Sequence, residues 1–330
     1  MIARHILKLQ NLAKTTPFFR FSEFNETESS FNHNENRPQR VQKPRFKKVA
    51  IILSGCGVYD GSEVTEVVSL MVHLNKSHVS FQCFAPNQDQ LHVVNHITGE
   101  TTTETRNVLV ESARIARGEV KDITQLKGED YQAVLLPGGF GAAKNLSDYA
   151  VNGTNFTVNS EVERVLREFH SQKKPIGAMC ISPLILAKVL QNEKPKITMG
   201  RVDNQDTPNK YWPHSEAINA AETLGAQHFQ RNADRFQVDF ENKIVTAPAM
   251  MFNGFTKFST TFDGAGHLVN IIDQIVQGNS IKLDTIGEKK HENFDGERRP
   301  RGQYNRNNNN RRPRENNNEN HEQHHHHEQQ

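Results

Sequence analysis

Three glycine-bearing turns carry the residues that could do chemistry. In Gly177-Ala-Met-Cys180-Ile-Ser-Pro183 an apolar run meets a helical pattern at a single thiol. A strand feeding a helix at one nucleophile is the layout of a nucleophile elbow, in which strained backbone presents the side chain and helix N–H groups can lower a thiol's pKa. A plain buried cysteine is the commoner fate of this residue type and stays open for Cys180. In Ser54-Gly-Cys-Gly-Val-Tyr-Asp-Gly-Ser-Glu63, Glu63 falls at the start of a helix. A carboxylate there could be a general base, a hydrogen-bond partner to a thiol, or only a helix-start residue favoured by the dipole. In Pro137-Gly-Gly-Phe-Gly141, Gly138 and Gly139 free backbone N–H groups to meet an oxyanion, or make a tight turn with no ligand. The spacing is not G-x-G-x-x-G, so no dinucleotide fingerprint is present. Cys83 lies within an apolar strand pattern and reads as structural, and Cys56 reads at most as a support behind the site.

These turns need elements to hold them. Val49–Leu53 is a continuous apolar run suited to a strand buried on both faces of a parallel sheet, and a helix pattern follows with Val64, Val67, Val68, Met71 and Leu74 as its apolar face. Residues 79–84 predict a second strand, 104–116 a helix, and Ala133–Leu136 a strand running into the second turn. Residues 158–170 predict a helix buried through Val162, Val165, Leu166 and Phe169. Residues 175–179 predict the strand before Cys180, and a helical stretch runs from Leu184 to Leu190. Alternating strands and helices predict an α/β doubly wound sandwich, with its strand-to-helix turns at one sheet edge where ligands bind.

The chain has 330 residues, with 40 Lys and Arg against 38 Asp and Glu and only three Cys. The net charge of +2 gives no molecule-wide field for nucleic acid, and three cysteines with no Cys-x-x-Cys pair build neither a disulfide scaffold nor a structural zinc site. No apolar run approaches the ~20 residues of a membrane span. Core-forming sequence is confined to about residues 46–283. Residues 22–45 and 284–330 are too poor in apolar side chains to offset their chain entropy, and predict a disordered linker and a disordered Asn-, Arg- and His-rich tail. Seven Arg between Arg298 and Arg314 could grip phosphates, but aromatic residues for stacking are nearly absent, so nucleic acid is not an expected partner. His324–His327 present no fixed metal geometry. Residues 1–21 carry Arg4, Lys8, Lys14 and Arg20 without an acidic residue, with Ile2, Ile6, Leu9 and Ala13 at helical spacing, the pattern of a mitochondrial presequence.

Taken together, Ser54–Glu63, Asn95-His-Ile-Thr-Gly-Glu100, Thr105–Val108, Pro137–Leu146 and Met179–Pro183 resemble the ElbB-like glyoxalases, over roughly residues 46–278. These belong to the PfpI and Parkinson-disease deglycase superfamily. The resemblance implies a flavodoxin-like, class I glutamine amidotransferase-like fold and superfamily-typical homodimers. It implies no cofactor, and a Cys180 thiolate paired with the Glu63 carboxylate, with N–H groups near Gly139 and Ile181 holding an oxyanion. The implied chemistry is glutathione-independent conversion of methylglyoxal or glyoxal to the hydroxyacid, or deglycation of an early adduct. The alternative is a non-catalytic redox-sensing or small-molecule-binding protein that uses the same Cys180 pocket. Two departures stand out. Ile181 replaces the His that follows the nucleophile in PfpI-type hydrolases, which argues against peptidase activity. Glutaminase domains carry a His-x-Glu pair after their last strands, and the stretch Thr246–Phe252 has none, which argues against a glutaminase. His214-Ser-Glu216 has that spacing but lies too early, and His214 reads as a loop or helix-start residue.

Overall fold

The computed structural model describes residues 48–203, 210–279 and 281. The expected presequence, linker and tail therefore lie outside the described residues.

Seven strands form one sheet: β1 (Lys48–Ile52), β2 (Ser80–Ala85), β3 (Val120–Asp122), β4 (Ala133–Leu136), β5 (Ile176–Met179), β8 (Gln237–Asp239) and β9 (Ile244–Ala247), in the order β3-β2-β1-β4-β5-β9-β8. Every pairing is parallel except β8 with β9. A separate parallel pair joins β6 (Lys196–Ile197) to β7 (Gln227–His228). The central strands read as unbroken apolar runs because they are covered on both faces: β4, β5 and β9 are buried at every residue.

The helices are α1 (Val64–Lys76), α2 (Val108–Ile115), α3 (Phe140–Lys144), α4 (Tyr149–Asn152), α5 (Ser160–Ser171), α6 (Pro183–Val189), α7 (Ser215–Thr223) and α8 (Lys257–Val276). Helix α8 packs on α1, β5 and β9, while α5 packs on β4, β5 and α6. The expected α/β flavodoxin-like sandwich is therefore present, with the strands and helices named from sequence at their expected places to within a few residues. Helix α5 buries Val162, Val165, Leu166 and Phe169, the face its spacing predicts, and Asn159 caps it through the N–H groups of Glu161 and Val162.

One face differs from the expectation. Helix α1 buries Glu66, Val67, Ser69, Leu70 and Leu74, while Val64 and Val68 are exposed. The helix is rotated from the register its valines suggest, and the rotation turns a carboxylate inward.

Candidate functional site

Cys180 follows β5 directly and precedes α6, which starts with Pro183 at its N-terminus. Its φ is +59°, left-handed for a residue with a Cβ, a conformation that costs roughly 1–3 kcal/mol and persists only where the surroundings enforce it. The enforcement is visible. The Cys180 N–H donates to Ala247 O at 2.9 Å in β9's end, and the Ser182 hydroxyl donates to Pro137 O at 2.7 Å at the end of β4. Three adjacent strands thus fix the elbow.

The turn after β4 completes the enclosure. A side chain at Gly138 would collide with Cys180 Cβ, and one at Gly139 (φ +96°) would collide with the Glu63 backbone, so both positions require glycine. Backbone N–H groups of Gly139 and Ile181 converge on the Cys180 sulfur. Donors aimed at one point in a buried space can hold developing negative charge. The Gly138 N–H is not among them. It donates to Glu66 Oε2 at 2.6 Å, so the expected oxyanion role of Gly138 is corrected to one of holding Glu66.

The carboxylate against the thiol is Glu66. Fully buried on α1, it makes a side-chain hydrogen bond with Cys180, and Oε1 accepts from the Met250 N–H at 3.3 Å. Glu63, which the sequence pairs with Cys180, instead caps α1: its Oε2 accepts from the Glu66 N–H at 2.7 Å. Its own N–H donates to Gly138 O at 2.9 Å. The cause is helical geometry. A cap residue points its side chain along its own first turn, whereas the residue three positions on faces the core.

The electrostatics follow from this burial. Desolvation, then the Glu63 charge, push the Glu66 carboxyl up to about 8 against the pull of its N–H donors and the thiol. Cys180 is likewise raised well above an ordinary thiol, first by burial, then by the Glu66 charge. Both groups are thus held toward their protonated forms, with the Glu66 carboxyl in hydrogen-bond reach of the thiol.

Supporting residues that sequence reasoning missed lie behind the first turn. The Asn145 amide donates to Ser54 O and Asp60 O, both at 2.8 Å, and Asp60 accepts from the Val94 N–H at 2.7 Å. His96 Nε2 accepts from the Tyr59 N–H at 3.2 Å while Nδ1 meets Val94 O at 3.0 Å, which ties the segment after β2 to this turn. Cys83 is buried in β2 and pushed up to about 12 by desolvation. Cys56 is half-buried, its thiol raised by burial and then by Glu111. His214 precedes α7 at its cap position, with its ring edge-on to Phe140 at 5.9 Å and its pKa lowered by burial. It is not among the groups acting on Cys180.

Comparison with known proteins fits this geometry. Residues 47–211 match the DJ-1/PfpI family. The ES1 protein homolog, mitochondrial, of Rattus norvegicus is 46% identical over 228 residues, covering 69% of this chain and 83% of the relative. Glutamine amidotransferase-like class 1 domain-containing protein 3, mitochondrial, of Homo sapiens is 42% identical over 271 residues, covering 82% and 97%. Among solved structures, an isoprenoid biosynthesis protein with an amidotransferase-like domain from Ehrlichia chaffeensis superposes with a TM-score of 0.61 at 35% identity, covering 69% of this chain and 99% of that one. With its elbow thiol, its glycine turn and a match over half its length, this chain belongs to the DJ-1/PfpI family.

Proposed function

We propose that this chain is a mitochondrial, cofactor-independent enzyme of reactive dicarbonyls or early glycation adducts, with Cys180 as nucleophile and Glu66 as acid and base. The observation that carries the reading is the Glu66 carboxyl, fully buried on the thiol with a pKa of about 8, where it can both take and return a proton near neutrality. The mitochondrial placement rests on the basic, acid-free N-terminus and on the names of the relatives above.

For methylglyoxal, ionised Glu66 takes the Cys180 proton and sulfur attacks the aldehyde carbon. The carbonyl electrons move onto oxygen, facing the Gly139 and Ile181 N–H groups, and Glu66 returns the proton to give a hemithioacetal. Glu66 then carries the proton from the former aldehyde carbon to its neighbour through an enediol, leaving a lactoyl thioester on Cys180. Water cleaves it to lactate and restores the thiol. The sum is methylglyoxal plus water to lactate, with no external oxidant or reductant.

The test is direct detection of lactate from methylglyoxal with the purified full chain, glutathione and other thiols omitted. Lactate should form with wild type and drop at least ~100-fold with Cys180→Ala and with Glu66→Gln. Equal dicarbonyl loss in all three proteins, with no lactate, would sink the reading.

One observation favours a second reading. Among the described residues no imidazole acts on Cys180, while Glu66 and two N–H groups surround the sulfur as they would the oxygens of a sulfinate. Under that reading peroxide supplies the oxygen, and intact mass should rise by two oxygen atoms in wild type but not in Cys180→Ala.

A further inference from the structure

Glu63 is free of the thiol, yet it is buried one turn from the carboxylate that holds it. Glu63 and Glu66 are respectively 8% and 0% exposed. Between them they clamp the Gly138 backbone on both sides of its Cα: the Glu63 N–H donates to the Gly138 carbonyl, and Glu66 Oε2 accepts from the Gly138 N–H. Glu63 Oε2 in turn accepts from the Glu66 N–H, which sets the two carboxyl groups at a fixed spacing. We propose that Glu63 is a positioning residue with a charge-tuning role: its buried carboxylate keeps a proton on Glu66, and thereby sets the pH at which the Cys180–Glu66 pair becomes basic.

The groups that face Glu66 are few. Cys180 comes from the elbow, the Gly138 N–H from the turn after β4, the Met250 N–H from the turn after β9, and Glu63 from its own helix. Helix α8 packs along α1, but its titratable Asp263 and His267 act on His73 with Lys76, toward the other end of α1. No cation stands with these groups, so burial and the like charge of Glu63 act together, opposed by the Gly138 and Met250 N–H donors and the thiol.

The capping role and the charge can be separated. Gln and Ser at position 63 each keep an oxygen for the Glu66 N–H and remove the charge, whereas Asp keeps both. The readout is the protonated-carboxyl infrared band of Glu66, isolated as wild type minus Glu66→Gln and followed against pH in the full chain without substrate. The band should be half lost near pH 8 in wild type and about one pH unit or more lower in Glu63→Gln and Glu63→Ser, with Glu63→Asp closer to wild type. Midpoints in both uncharged variants within about 0.3 of wild type overturn the proposal, as does a wild-type band already gone at pH 6. The consequence for rate rests on the dicarbonyl reading: the rise of lactate formation with pH should move down by the same shift. If wild type makes no lactate, that reading falls while the infrared titration still decides the role of Glu63.

Discussion

A carboxyl with a pKa near 8 beside a thiol raised above its usual range gives the site a defined pH response. Under the proposed mechanism the reactive form needs Glu66 ionised to take the thiol proton, and below pH 8 that fraction grows nearly tenfold per unit. Lactate formation should therefore climb by about an order of magnitude from pH 6 to 7, slow its climb toward 8, and flatten above it. A rate profile flat from pH 6 to 8 would mean Glu66 is not the base. The residue that makes this prediction was hidden in the sequence by its company. Val64 and Val68 look like a buried stripe, whereas the stripe actually buried is Glu63, Glu66, Val67, Leu70 and Leu74, which two acidic residues make look polar. A carboxylate repeating in step with Val67 and Leu70, one turn past a glycine-rich loop, was the available signal. The elbow thiol was legible because a lone Cys set between a strand and a Pro-started helix is where that turn presents a nucleophile.

At the scale of elements, the same rotation of α1 can be tested by stability. Val67 is fully buried and Val68 is 44% exposed, although they are neighbours and chemically identical. Val67→Ala should cost about 1–3 kcal/mol by denaturant unfolding, through lost burial and a cavity, whereas Val68→Ala should change stability by less than about 0.5 kcal/mol. Equal costs would mean that α1 packs in the register its valines suggested. The turn after β4 makes a different demand. Gly138→Ala places a methyl against Cys180 Cβ while leaving every polar group in place, so it should slow Cys180 alkylation and abolish turnover with the chain still folded. Native-like circular dichroism with unchanged alkylation would refute the packing described. The parallel core strands were readable because burial on both faces leaves nothing but apolar side chains. Strand β9 and its following turn were not: their contributions, Ala247 O and Met250 N–H, are backbone groups that any residue could supply.

Across the whole molecule, the buried pair ties folding to pH. Glu66 is raised in the folded chain relative to an unfolded carboxyl, so folding favours its protonated form. That contribution is fully present below the unfolded value of about 4.5 and is lost as pH rises through about 8. Cys180, raised for the same reason, extends the loss to higher pH. The histidines act in the opposite sense: His228 is pushed down to about 4, and His73 and His214 are lowered by burial, so they cost stability as pH falls rather than as it rises. A single protein's profile mixes these terms, and the difference between two proteins separates them. Wild-type stability in denaturant should fall by roughly 1–3 kcal/mol relative to Glu66→Gln between pH 6 and pH 9. The offset between the two at pH 6 carries no weight, because Gln gives one oxygen where the Gly138 and Met250 N–H groups each need an acceptor. The diagnostic is the slope, and parallel profiles would mean that Glu66 is ionised throughout. A carboxyl held in the core at the expense of stability above neutrality is what the proposed proton-transfer role of Glu66 requires, and a falling wild-type slope would show that cost directly.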